Sequence, residues 1–118
     1  MKKSVLVVGS SNVDMIVQAD PIPKPGETVL GGKLSMAAGG KGANQAVAAA
    51  RAGAAVTFVA RLGQDTFGDQ AIAGFEADHI NTEWIVRDSK AASGVALIVV
   101  AGSRWAVVSG QSTDLLPH

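Results

Sequence analysis

Cysteine is absent from the 118 residues, which excludes disulfides and thiolate metal sites and fits a reducing cytoplasm. Net charge is absent as well. Ten Lys and Arg balance ten Asp and Glu, and no basic cluster exists beyond Lys2-Lys3, so neither nucleic acid nor an anionic membrane is an expected partner. Aromatic residues are sparse, with two Trp and three Phe. They give no basis for nucleobase stacking, and Trp84 and Trp105 read as packing residues. The apolar run after the N-terminal lysines is confined to residues 5–8, too short for a signal h-region, and Asp14 follows soon after. Two isolated histidines, His79 and His118, make no metal site. What is present is 47% hydrophobic and 17% charged, the composition of one globular domain with a core and a small neutral or singly charged ligand.

The most informative stretch is Gly39-Gly40-Lys41-Gly42-Ala43-Asn44-Gln45, which sets glycines, a cation and an amide side chain before an alanine-rich segment. Glycines admit backbone conformations closed to other residues and let a ligand approach main-chain N–H groups, and the following helix adds free donors and partial positive charge. Neither standard nucleotide loop is present. A P-loop requires Gly-Lys-Ser/Thr, whereas Gly32-Lys33 precedes Leu34 and Gly40-Lys41 precedes Gly42; a dinucleotide fingerprint requires a third glycine where Gln45 stands.

Hydrophobic patterning predicts an α/β fold. Residues 4–8 form a short buried strand that delivers the polar loop Gly9-Ser10-Ser11-Asn12 at its carboxyl end, where ligands bind in open α/β sheets. Residues 15–17 continue extended. Pro21, Pro23, Pro25 and Gly26 mark an irregular crossing, and residues 27–34 read as a strand outside the main sheet. Ala43, Ala46, Val47 and Ala50 recur at helical spacing over residues 42–52, with Gly53 at the C-terminal cap. Residues 55–60 are a second strand, stopped by Arg61-Leu62-Gly63. Asp65 caps a helix carrying Phe67, Ala71 and Phe75 and ending near His79, and residues 82–86 are a third strand. The alternation predicts a right-handed parallel layer. Residues 94–100 and 105–108 form a hairpin, and with the Pro-rich segment they are expected to make a separate flap.

The spaced pattern Gly39-Gly40-Lys41-Gly42-Ala43-Asn44, Ala46, Gly53 and Gly63, with Gly63-Gln64-Asp65-Thr66-Phe67-Gly68 and Gly9-Ser10-Ser11-Asn12-Val13-Asp14, resembles the ribokinase branch of the ribokinase-like (PfkB) carbohydrate kinases. The resemblance covers nearly the whole chain. It implies a Rossmann-like three-layer parallel sheet, incomplete here, with a small β-sheet lid from residues of about 16–36 and 94–109. Sugar contacts are implied at Asn12, Asp14, Gly39, Gly40, Lys41, Asn44 and Ala96. The expected sugar is D-ribose, with deoxyribose or another sugar as the alternative.

The family's catalytic base is the Asp of a Gly-Ala-Gly-Asp motif, and its sites for ATP, Mg2+ and a monovalent cation surround that motif in a C-terminal half. No such motif occurs in these residues. Residues 1–118 therefore read as an N-terminal portion, inactive alone, with no catalytic or metal-binding residue and no cofactor of its own. In ribokinases the lids of two subunits pair, which implies a homo-oligomer. The other reading is a noncatalytic module that binds sugar or assembles with itself. Gly110-Gln111-Ser112-Thr113-Asp114-Leu115-Leu116-Pro117 resembles a Gly-Ala-Asn-x-x-Leu-x-Pro stretch of the family with the Ala-Asn pair replaced.

Overall fold

The computed structural model describes residues 2–110, so the Gly110–Pro117 resemblance falls largely outside the described residues. In chain order the elements are β1 (Ser4–Val8), β2 (Asn12–Gln18), β3 (Lys33–Gly39), α1 (Lys41–Arg51), β4 (Ala55–Val59), β5 (Arg61–Gly63), α2 (Thr66–Ala77), β6 (Val86–Asp88), β7 (Gly94–Ala101) and β8 (Arg104–Gly110). β1 pairs in parallel with β4, and β5 with β6. The two pairs join into one layer, because Asn81 bridges Thr57 and Val86 N–H donates to the Ala60 carbonyl at 2.9 Å. Beside this layer stands a mixed sheet of order β3-β2-β7-β8.

Sequence dictates the helices locally. Small residues at Ala43 and Ala46 bury one side of α1 and let it lie close to the strands. Its end is a Schellman motif: Gly53 at φ 101 donates to Ala50, and Ala54 donates to Ala49. Asp65 caps α2 by accepting from Gly68 N–H at 2.8 Å. The core gathers Val7, Val56 and Phe58 of the parallel strands against Ala46 of α1 and Phe75 of α2. Phe58 and Phe75 meet edge to face with centroids 5.3 Å apart, a geometry favoured by the ring quadrupoles.

Several predicted strands move. Residues 27–34 do not form one: Glu27 N–H closes a turn onto the Lys24 carbonyl, Gly31 adopts φ 84, and the strand begins only at Lys33. The third parallel strand is Val86–Asp88 rather than 82–86, because Ile85 N–H turns back to the Thr82 carbonyl at 3.1 Å. Arg61–Gly63 does not end the second strand but resumes it as β5 after a break at Ala60. The extended segment at 15–17 is the middle of a strand that starts at Asn12. The hairpin turns at Gly102-Ser103, with Ala101 opposite Arg104.

Candidate functional site

The site forms where β1 ends. Gly9 N–H donates to the Val59 carbonyl at 3.1 Å, and the chain then turns through Ser10 and Ser11 into β2. α1 enters against this turn, with Ala43 N–H donating to the Ser10 carbonyl at 3.0 Å. A Cβ on Gly42 would lie 2.8 Å from backbone atoms of Gly9 and Ser10, so the glycine permits the close approach of helix and loop. Gly40, the N-cap, needs glycine for two reasons: its φ is 98, and a Cβ there would stand 2.8 Å from the Ser10 carbonyl oxygen. Among the described residues no side chain caps α1, and no acidic residue occupies its first turn. The partial positive charge of that terminus, and the first-turn donors other than Ala43 N–H, are left for another acceptor.

The register of the mixed sheet brings the acidic residue to the same place. Asn12 pairs with Gly39 across β2 and β3, and Asp14 pairs with Ala96 across β2 and β7. Asn12 Nδ2 donates to Asp14 Oδ1 at 2.8 Å, which orients the half-buried carboxylate. Its Oδ2 accepts no hydrogen bond among the described residues. A Cβ on Gly39 would fall 2.5 Å from Asp14 Oδ1, so the first glycine of the pair makes room for the acid. Asn12, Asp14, Gly39, Gly40 and Ala96 are thus brought together.

Lys41 and Asn44 stand on the first turn of α1, three residues apart and so on neighbouring positions of the helix surface. Both are exposed, and among the described residues neither side chain makes a hydrogen bond or ion pair. Asn44 lines a cavity of about 600 Å³ between α1 and α2, with Ala38 and Gln70. No bond joins it to Asp14. The sequence placed Ser11 in the polar loop without singling it out; it is 2% exposed, and its hydroxyl has no hydrogen-bond partner among the described residues. Its position against Gly40, whose Cβ would lie 3.0 Å from the Ser11 Cα, depends on tertiary contact and left no local signal. A second cavity, of about 720 Å³, opens on the opposite side of β1 and β4 among Leu6, Thr57, Asn81 and Trp84. It contains none of the predicted site residues.

The sequence matches the pfkB family carbohydrate kinase over residues 2–116. The chain belongs to the pfkB family. Within that family it is 40% identical over 117 residues to the ribokinase of Bacillus subtilis (strain 168), covering 98% of this chain and 40% of that protein. It is also 41% identical over 117 residues to the deoxyribokinase of Salmonella typhi, covering 97% of this chain and 38% of that protein. Among solved structures, Arabidopsis thaliana ribokinase complexed with ribose and ATP superposes with a TM-score of 0.81 at 29% identity, over 93% of this chain and 36% of that one. The chain spans about two-fifths of the length of the relatives it matches. The α/β fold agrees with the expectation from hydrophobic patterning, and the relation to ribokinases with that from the glycine spacing.

Proposed function

We propose that this chain is the sugar-binding and lid portion of a ribokinase-type pfkB enzyme, which as a whole phosphorylates D-ribose to D-ribose 5-phosphate with ATP. The observation that carries the reading is the Asp14 carboxylate, oriented by Asn12 and facing Gly39 at the uncapped N-terminus of α1. A carboxylate accepts hydrogen bonds from two vicinal hydroxyls, Lys41 and Asn44 donate to ring or hydroxyl oxygens, and Ala96 offers an apolar contact. The sheet β3-β2-β7-β8 acts as a lid that excludes water from the bound sugar. Deoxyribose is the next candidate, supported by the 41% identity to a deoxyribokinase.

ATP and Mg2+, with a monovalent cation, would supply the phosphoryl group and neutralise its charge in the whole enzyme. The residues present do not fit that group. Among the described residues there is no cluster of three His, Cys, Asp or Glu able to hold a metal ion, and the glycine loop is no P-loop. No step of phosphoryl transfer is therefore assigned to residues of this chain. Calorimetric titration with ribose, deoxyribose and fructose tests the reading. Heat with ribose that vanishes in Asp14→Asn supports it, and absence of binding to all three sugars overturns it. A coupled kinase assay on the 118 residues should show no turnover.

A second reading, self-assembly, is favoured by one observation. Leu34, Met36 and Leu97 are 61%, 44% and 51% exposed, and register and alternation put them on the face of the mixed sheet away from Asp14. A second copy of this chain would cover that face.

A further inference from the structure

Asp65 makes more bonds than a helix cap requires. Its Oδ1 accepts from Gly68 N–H at 2.8 Å, which is the cap, and also from the Ser93 hydroxyl at 2.8 Å. Its Oδ2 accepts from Ser93 N–H at 2.8 Å. The Ser93 hydroxyl in turn accepts from Gly63 N–H at 3.0 Å, so Ser93, 4% exposed, is held on three sides. Arg87 closes the cluster by donating to the Gly63 carbonyl at 2.9 Å and to Asp69 at 2.6 Å. A Cβ on Gly63 would fall 2.5 Å from both Asp65 Oδ2 and Ser93 N. The glycine preceding Asp65 in the motif leaves room for this clasp.

Ser93 is the residue before β7. The next residue, Gly94, pairs with Asn12, and Ala96 pairs with Asp14. β2 and β7 are parallel, so no turn joins them to set their register, and the hairpin fixes β7 only against β8. A slip of one residue would put Val95 or Leu97 beside Asp14 and send Ala96 to the other face. We propose that Asp65 is a positioning residue that sets the register of β7 against β2 through Ser93, and thereby places Ala96 beside Asp14. The consequence for sugar binding rests on the ribose reading above; the consequence for the β2–β7 ladder does not.

The test is site-resolved amide hydrogen exchange on the 118-residue chain, with ribose titration in parallel, for the unchanged protein, Asp65→Ser and Ser93→Ala. Serine keeps an acceptor for Gly68 N–H but is too short to hold Ser93 as well. Exchange in the β2–β7 ladder should accelerate about tenfold or more in Asp65→Ser, the scale expected for charge-assisted hydrogen bonds lost, and less in Ser93→Ala, which keeps the Ser93 N–H bond to Asp65 Oδ2. Amides of α2 and of the β1–β4 pair should keep their protection, and ribose affinity should fall. Uniform acceleration in α2, β4 and β7 together, or an unaltered β2–β7 ladder, overturns the proposal. Should Asp65→Ser fail to fold, Asp65→Asn decides it, since asparagine keeps an oxygen for the cap while its amide nitrogen cannot accept from Ser93 N–H. If the unchanged chain binds no ribose, the sugar reading fails while the exchange pattern still decides the role of Asp65.

Discussion

His79 sits at φ 60, a left-handed conformation that disfavours a Cβ. It occupies the position after the α2 cap, where its N–H donates to the Glu76 carbonyl at 2.9 Å and Ile80 N–H donates to the Phe75 carbonyl at 3.0 Å. This is the same motif that ends α1, but with histidine where α1 has Gly53. Substituting His79→Gly should raise stability by about 1 kcal/mol, read as a higher urea midpoint at constant slope. At the other glycine-demanding position the sign reverses: Gly40→Ala imposes both an unfavourable φ and a clash with Ser10, and should cost about 1–3 kcal/mol while displacing the first turn of α1. Circular-dichroism melts of the two variants should therefore move in opposite directions. At this scale much of the site was legible, because a glycine pair before a helix constrains the backbone whatever the tertiary context. Ser11 was not legible, since its burial depends on contact with a loop distant in sequence.

α1 and α2 fell where apolar spacing and the Asp65 cap predicted them, because their signals are local. β3 did not. Thr28-Val29-Leu30 resembles a strand in composition, but prolines on one side and Gly31-Gly32 on the other isolate it. The segment that pairs, Lys33–Gly39, is exposed through Ala38 and owes its conformation to the β2 edge. Edge pairing is tertiary and leaves little trace in residue type. The core contact between helix and sheet yields a firm expectation: Phe75→Ala removes a ring packed on Phe58 and should cost about 3–5 kcal/mol, measured by denaturant unfolding. Acid sensitivity belongs to the α2–β7 junction. Burial raises the Asp65 pKa, but the hydrogen bonds from Ser93 N–H, Gly68 N–H and the Ser93 hydroxyl, with the Arg87 charge, outweigh it and hold the carboxyl below its ordinary value of 3.8. A depressed folded pKa contributes stability above the unfolded value, and that stability is lost as pH falls through the folded one. Unfolding free energy followed from pH 5 downward should fall less steeply in Asp65→Ser than in the unchanged chain; parallel curves would contradict this.

The molecule is extended, 52 × 33 × 20 Å with a radius of gyration of 16.0 Å, against roughly 13 Å for a compact domain near this length. The mixed sheet projects from the parallel layer and carries exposed Leu34, Met36 and Leu97, while the far face of the layer exposes Leu6, Val8 and Trp84 at 66%, 60% and 60%. Apolar faces this open favour association. Light scattering should report a mass above the monomer at high concentration, and Leu97→Lys should shift it toward monomer without weakening ribose binding, because Leu97 lies opposite the Asp14 face. The overall α/β class was legible from the alternation of strand and helix patterns, and a separate flap from the segments that fall outside it; the strand order and bounds of the mixed sheet were not, because pairing across distant segments has no local signature. The central claim is that Asn12, Asp14, Gly39, Gly40, Lys41, Asn44 and Ala96 grip one pentose. A ribose titration followed by amide chemical shifts tests it most directly. Saturable shifts concentrated at these residues, and lost in Asp14→Asn, are predicted; shifts centred on the Leu6–Trp84 cavity, or no shifts at saturating ribose, would contradict it.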